Sequence, residues 1–103
     1  MAFLVQLLLP VYDSSGERLP NALFARVMDE LTDRHGGVTA YLRSPAEGSW
    51  VEGSGAVEKD EVVMFEVMVD HLDRDWWSRY RAALEIRFAQ DELVVRATAM
   101  ERL

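Results

Sequence analysis

Cysteine is absent from the 103 residues, which excludes a disulfide scaffold, a thiolate metal site and a cysteine nucleophile, and suits a reducing compartment. Lysine is nearly absent too. Lys59 stands alone, and 11 basic residues face 18 acidic ones for a formal net charge of -7. That balance repels a phosphate backbone, and no basic stripe with interleaved aromatics offsets it, so nucleic acid is not an expected partner. Long hydrophobic runs are also missing. The apolar stretch Phe3 to Leu9 is stopped by Pro10, well short of the roughly 20 residues a spanning helix needs. It has neither a basic segment before it nor a small-residue cleavage site after it. A cytoplasmic protein without membrane partners is expected. No Gly-x-Ser-x-Gly elbow occurs, and Ala2 is not the proline that a tautomerase would use at a processed N-terminus, so nucleophilic catalysis is unsupported.

What is present is a two-sided apolar alternation. Along Asp60 to Asp70, residues Val63, Phe65, Val67 and Val69 share one parity, while Val62, Met64, Glu66 and Met68 share the other. Both faces are mostly apolar, the pattern of an interior strand covered on each side, with Glu66 interrupting the second face. Ala2 to Tyr12 reads the same way, with Phe3, Val5, Leu7, Leu9 and Val11 against Leu4, Gln6 and Leu8. Val38 to Arg43 alternates as an edge strand with a wetter face, and Glu92 to Glu101 gives a fourth strand, with Leu93, Val95, Ala97 and Ala99 opposed to Val94, Arg96, Thr98 and Met100.

Two helices separate these strands. In Ala22 to His35 the apolar residues Leu23, Phe24, Val27, Met28 and Leu31 recur at helical spacing, with Arg26, Asp29, Glu30 and Asp33 opposite. Pro20 and Asn21 supply start chemistry, Arg34 and His35 suit the last turn, and Gly36-Gly37 stops it. From Arg74 to Gln90, Trp77, Tyr80, Leu84 and Phe88 form the stripe, Asp73 or Asp75 is the cap, and Arg81 and Glu85 are spaced for an i, i+4 pair. Gly53-Ser54-Gly55 reads as a hairpin tip; with no Gly-Lys-Ser/Thr after it and no helix opening there, it is not a phosphate loop.

The order strand, helix, strand, strand, helix, strand matches a ferredoxin-like βαββαβ domain spanning the 103 residues, an α+β fold whose four-stranded antiparallel sheet carries both helices on one face. The expected spatial order is fourth, first, third, second strand. With Gly36-Gly37-Val38-Thr39 after the first helix and Gly48-Ser49-Trp50 before the hairpin tip, the chain resembles small bacterial proteins of the ferredoxin-like, or α+β plait, class. The resemblance covers nearly the whole chain, but its motifs form turns and bring no reaction with them.

The face away from the helices would present Leu4, Gln6, Leu8, Val62, Met64, Met68, Val94 and Met100, an apolar patch of the size that soluble monomers cover. Self-association through this face is expected, most simply as a homodimer, making the chain a small oligomeric binding or interaction protein. Glu66 and Arg96 are expected to pair within that interface, with Gln6 in the same row. The alternative is a small cofactor-independent enzyme of the dimeric α+β barrel kind, in which two such faces enclose a small-molecule cavity, Glu66 acts as base, and Tyr41 and Arg43 line the rim. Topology also brings His35 and His71 to one end of the sheet, near Asp33, Asp70, Asp73 and Asp75, donors that suit zinc or non-haem iron. No His-Glu-x-x-His motif or i, i+4 histidine pair is present, so neither a metal nor a cofactor is expected. Trp50, Trp76 and Trp77 invite a stacking role, with the core as the default for Trp76 and Trp77.

Overall fold

Residues 1–43 and 61–103 are described by a computed structural model. The strand-rich N-terminus forms β1 (Ala2–Pro10), followed by α1 (Asn21–His35), β2 (Thr39–Arg43), β3 (Val62–Val69), α2 (Arg74–Arg87) and β4 (Val94–Met100). The strands make one antiparallel sheet in the order β2-β3-β1-β4. Read from the other edge this is fourth, first, third, second, the order expected above. The two strands with apolar residues on both parities are accordingly the interior pair. The hairpin tip at Gly53-Ser54-Gly55, together with Trp50, lies outside the described residues.

Register fixes the two faces. Val5 stands opposite Val67 and Leu7 opposite Phe65, so the odd residues of β1 and β3 make one surface. The buried residues of both helices gather on that surface, Val27 and Leu31 from α1 and Trp77 and Leu84 from α2, with Phe88 and Leu93 completing the cluster. Closing such side chains away from water stabilises the fold by roughly 1.5–3 kcal/mol each, before the entropy of ordering them is subtracted. Phe24 meets Phe88 edge to face, with centroids 5.4 Å apart.

The start of α1 differs from expectation, while the Asp73 cap and the Gly36 stop follow it. Pro20 occupies the N-cap position of α1 with no side-chain capping bond, so Asn21 begins the helix without capping it. Pro20 leads into α1 with its preset φ, at φ -60 and ψ 139. At α2 the cap is Asp73, whose carboxylate accepts from the Trp76 N–H at 3.1 Å. Gly36 ends α1 in the left-handed conformation (φ 79), while Ala89 adopts a similar one after α2 (φ 52). The first strand also stops at Pro10 instead of running to Tyr12. Beyond it, Asp13 Oδ1 accepts from the N–H groups of Ser15 and Glu17, closing a tight turn.

Glu30, expected on the wet side of α1, ties the helices together. Arg87 donates through Nη1 to Oε1 at 2.6 Å and through Nη2 to Oε2 at 3.1 Å. The Tyr80 hydroxyl adds a bond to Oε1 at 2.8 Å, and Arg26 Nε lies 3.3 Å from Oε2. Burial by itself raises the Glu30 pKa, but the hydrogen bonds from Arg87 and Tyr80 and the charges of Arg87 and Arg26 together hold it below the usual 4.5. Tyr80 is pushed well above its ordinary range, first by burial and then by Glu30.

Arg87 is mostly shielded (side chain 14% exposed) and Glu30 less so (33%), so the clip is worth more than a surface ion pair and less than a fully buried one. Arg87→Met is expected to lower the unfolding free energy by about 1–3 kcal/mol in urea titrations at neutral pH. Since the folded pKa of Glu30 lies below 4.5, its contribution is complete above pH 4.5 and is lost as pH falls through the lower folded value. The variant should therefore lose less stability than the wild type across that acidic window. Equal acid sensitivity in the two proteins would place the coupling elsewhere.

Candidate functional site

The sheet face opposite the helices is built in rows. Thr98, Leu4 and Met68 form one, Arg96, Gln6, Glu66 and Thr39 the next, and Val94, Leu8, Met64 and Tyr41 a third. A polar row thus crosses the sheet between two mostly apolar ones. Its members bond to each other. Arg96 Nε donates to Gln6 Oε1 at 2.8 Å, Gln6 Nε2 donates to Glu66 Oε2 at 2.6 Å, and the Tyr41 hydroxyl reaches diagonally from the next row to the same Glu66 oxygen at 3.0 Å. The Tyr41 oxygen is also 3.1 Å from Met64 Sδ.

This corrects the expected Glu66–Arg96 ion pair. β1 runs between β3 and β4, so the two charges are separated by about two strand spacings, or roughly 10 Å. Gln6 fills the gap. Its amide accepts from the guanidinium with the oxygen and donates to the carboxylate with the nitrogen. The expected apolar patch is corrected as well. Met64 is completely buried within the chain (0% exposed), whereas Met68 and Val94 remain about half exposed at 53% and 48%. Arg43 ends β2 opposite Val62.

Beside Glu66 the sheet end opens into a groove of about 570 Å³, lined by Glu66, Met68, Leu4, Thr39, His35 and Arg102 with the Gly36–Gly37 turn. The turn provides one wall because α1 stops at Gly36 and β2 starts at Thr39. A carboxylate, a hydroxyl and a guanidinium therefore face one space with an apolar side. That donor set suits a small polar molecule carrying an anionic group.

The two histidines have different fates. His35 stacks on Trp77 with centroids 5.0 Å apart and the rings 8° from parallel, and meets Trp76 edge to face at 5.3 Å. Burial, and secondarily the charge of Arg34, lowers its pKa and so favours the neutral ring. His71 is exposed. Among the described residues, no group of three or more His, Cys, Asp or Glu side chains is arranged to hold a metal ion. His35 belongs instead to an aromatic cluster in which Trp76 stacks on Tyr80 at 4.8 Å and carries the Arg34 guanidinium 4.3 Å above its ring.

A second site escaped the sequence reading. Arg81 was expected to pair with Glu85, yet Glu85 accepts from the Leu93 N–H at 3.0 Å, and Arg81 Nε is buried with no hydrogen-bond partner. Arg74, Ser78 and Arg81, spaced i, i+4 and i+7, line a cleft beside β4. That spacing on an otherwise amphipathic helix was the signal available. Comparison with protein-family models, curated proteins and solved structures gives no match for the chain.

If Gln6 bridges the two charges, replacing it with Met removes both bonds at once. Gln6→Met is expected to cost about 1–3 kcal/mol in urea unfolding, and the double variant Gln6→Met/Arg96→Met to cost less than the sum of its singles. Strict additivity would show that the bridge carries no energy.

Proposed function

We propose that the chain is a ferredoxin-like domain of the kind found in the small bacterial proteins it resembles, and that it works in the cytoplasm as a homodimeric binding protein whose subunits associate through the open sheet face. The element order, the strand order and the gathering of both helices on one face support the fold. The polar row Arg96–Gln6–Glu66–Tyr41 carries the functional reading. Side chains facing bulk water have no need to satisfy one another. Mutual satisfaction across four residues is what a face requires when it is to be removed from water. The row joins one carboxylate and one guanidinium, so covering it buries no net charge although the chain carries -7. Met68 and Val94, half exposed above and below the row, supply the apolar contact that a second copy would cover.

Because Met64 is already buried in the single chain, the exposed positions test the interface. Met68→Asp and Val94→Asp are expected to keep the circular dichroism spectrum and to sediment at the 11.8 kDa chain mass, while the wild type sediments at twice that value. A wild type that stays monomeric at micromolar concentration and above refutes the proposal.

The groove at Glu66 favours a second reading, a cofactor-independent enzyme in which the dimer closes the groove into a cavity. Glu66 would take a proton from a small substrate whose carboxylate meets Arg102. In heavy water, the wild type is expected to speed exchange at the carbon beside the carbonyl of small keto acids, and Glu66→Gln to lose about 10²-fold or more of that rate. Exchange no faster than in buffer rejects this reading and leaves the dimer intact.

A further inference from the structure

On the helical side of the sheet, α2 crosses the edge strand β4 without closing on it. The cleft left between them has a volume of about 240 Å³, the space of roughly eight water molecules at ~30 Å³ each. Its floor is apolar, made by Val5, Trp77 and Val95, and its α2 wall carries Arg74, Ser78 and Arg81. A helix turns an apolar face toward the sheet it covers. Here two guanidinium-bearing residues and a hydroxyl flank Trp77 on the side toward β4.

The charge of the lining is as unusual as its position. In a chain with 18 acidic and 11 basic residues, no carboxylate among the described residues lines this cleft. Arg81 Nε is buried without a partner, and a desolvated guanidinium N–H with nothing to bond is a cost that folding normally avoids. That Nε is closed to solvent, but the two Nη groups of a guanidinium also offer parallel donors matched to two carboxylate oxygens. We infer that the cleft between α2 and β4 is a binding site for a small organic monocarboxylate with an apolar body, its acid group held by Arg81 and Arg74 beside Ser78 and its body on Trp77 and Val95. Inorganic phosphate matches the cations but would leave the apolar floor unused.

The test uses benzoate and octanoate as probes, with benzyl alcohol, octanol and inorganic phosphate as controls, followed by isothermal titration and by tryptophan emission. At least one carboxylate is expected to bind the full-length wild type in the millimolar range or tighter and to shift the emission, and the matching alcohol to bind about tenfold or more weakly. Arg81→Met should weaken the carboxylate by about tenfold or more, and Arg74→Met in the same direction. If Arg81→Met does not fold, Ala97→Leu, which fills the cleft from the β4 side and leaves every arginine in the sequence, should abolish binding instead. No carboxylate binding by wild type, binding unchanged in the arginine and Ala97→Leu variants, or phosphate binding tighter than both carboxylates would each overturn the inference. Since the cleft and the Glu66 groove are on opposite faces of the sheet, a failed dimer test leaves this result unaffected.

Discussion

Everything in the domain depends on the register of β1, the strand hydrogen-bonded on both sides. Val5, Leu7 and Leu9 must face the helices together, and a slip of one residue against either neighbour would turn them to the other face. The same register aligns Gln6 with Glu66 on one side and with Arg96 on the other. Packing on one face thereby sets chemistry on the opposite face. The polar row is as well positioned as the core is, because both are read from a single alternation.

The helical layer is held by a different set of forces. α1 and α2 share the apolar cluster over the sheet, and beyond it the Arg87–Glu30 fork and the Tyr80 hydroxyl join them. The aromatic cluster of His35, Trp76, Trp77 and Tyr80 lies at the same junction. With α2 drawn toward α1 by these contacts, the side of α2 that carries Arg74, Ser78 and Arg81 is left above β4 with a cleft beneath it. Within one helix, contact on one flank and separation on the other go together.

How much of this was legible in the sequence depended on whether periodicity alone could decide it. The two-sided apolar pattern of Ala2 to Tyr12 and Asp60 to Asp70 identified the interior strands, and the stripe of Val27 and Leu31 oriented α1. Parity also put Gln6, Glu66 and Arg96 on one face. The expected strand order already put Gln6 between the charges, so the direct ion pair was a misjudgement of distance: two strand spacings are too far for Glu66 and Arg96 to meet, and a bridged pair exists instead. Met64 shows a limit of parity, which assigns a face and not what covers it. Glu30 was misjudged for a related reason: it lies at the flank of the apolar stripe, and only the placement of α2 decides whether that flank meets water or Arg87.

β4 shows how one short strand can serve both faces. Arg96 Nε bonds to Gln6 on the open side, while Val95 and Ala97 bound the cleft under α2, whose lining Arg96 also joins. Such a strand gains little from a conventional core pattern, and most of its residues are exposed in the single chain. Its place in the sheet is instead secured by β1, which pairs with it from Ala2 to Leu8. A substitution in β4 should therefore act first on whichever site its parity serves and only secondarily on the fold. An edge strand freed from most of the packing burden is where a small domain can carry polar side chains at low structural cost.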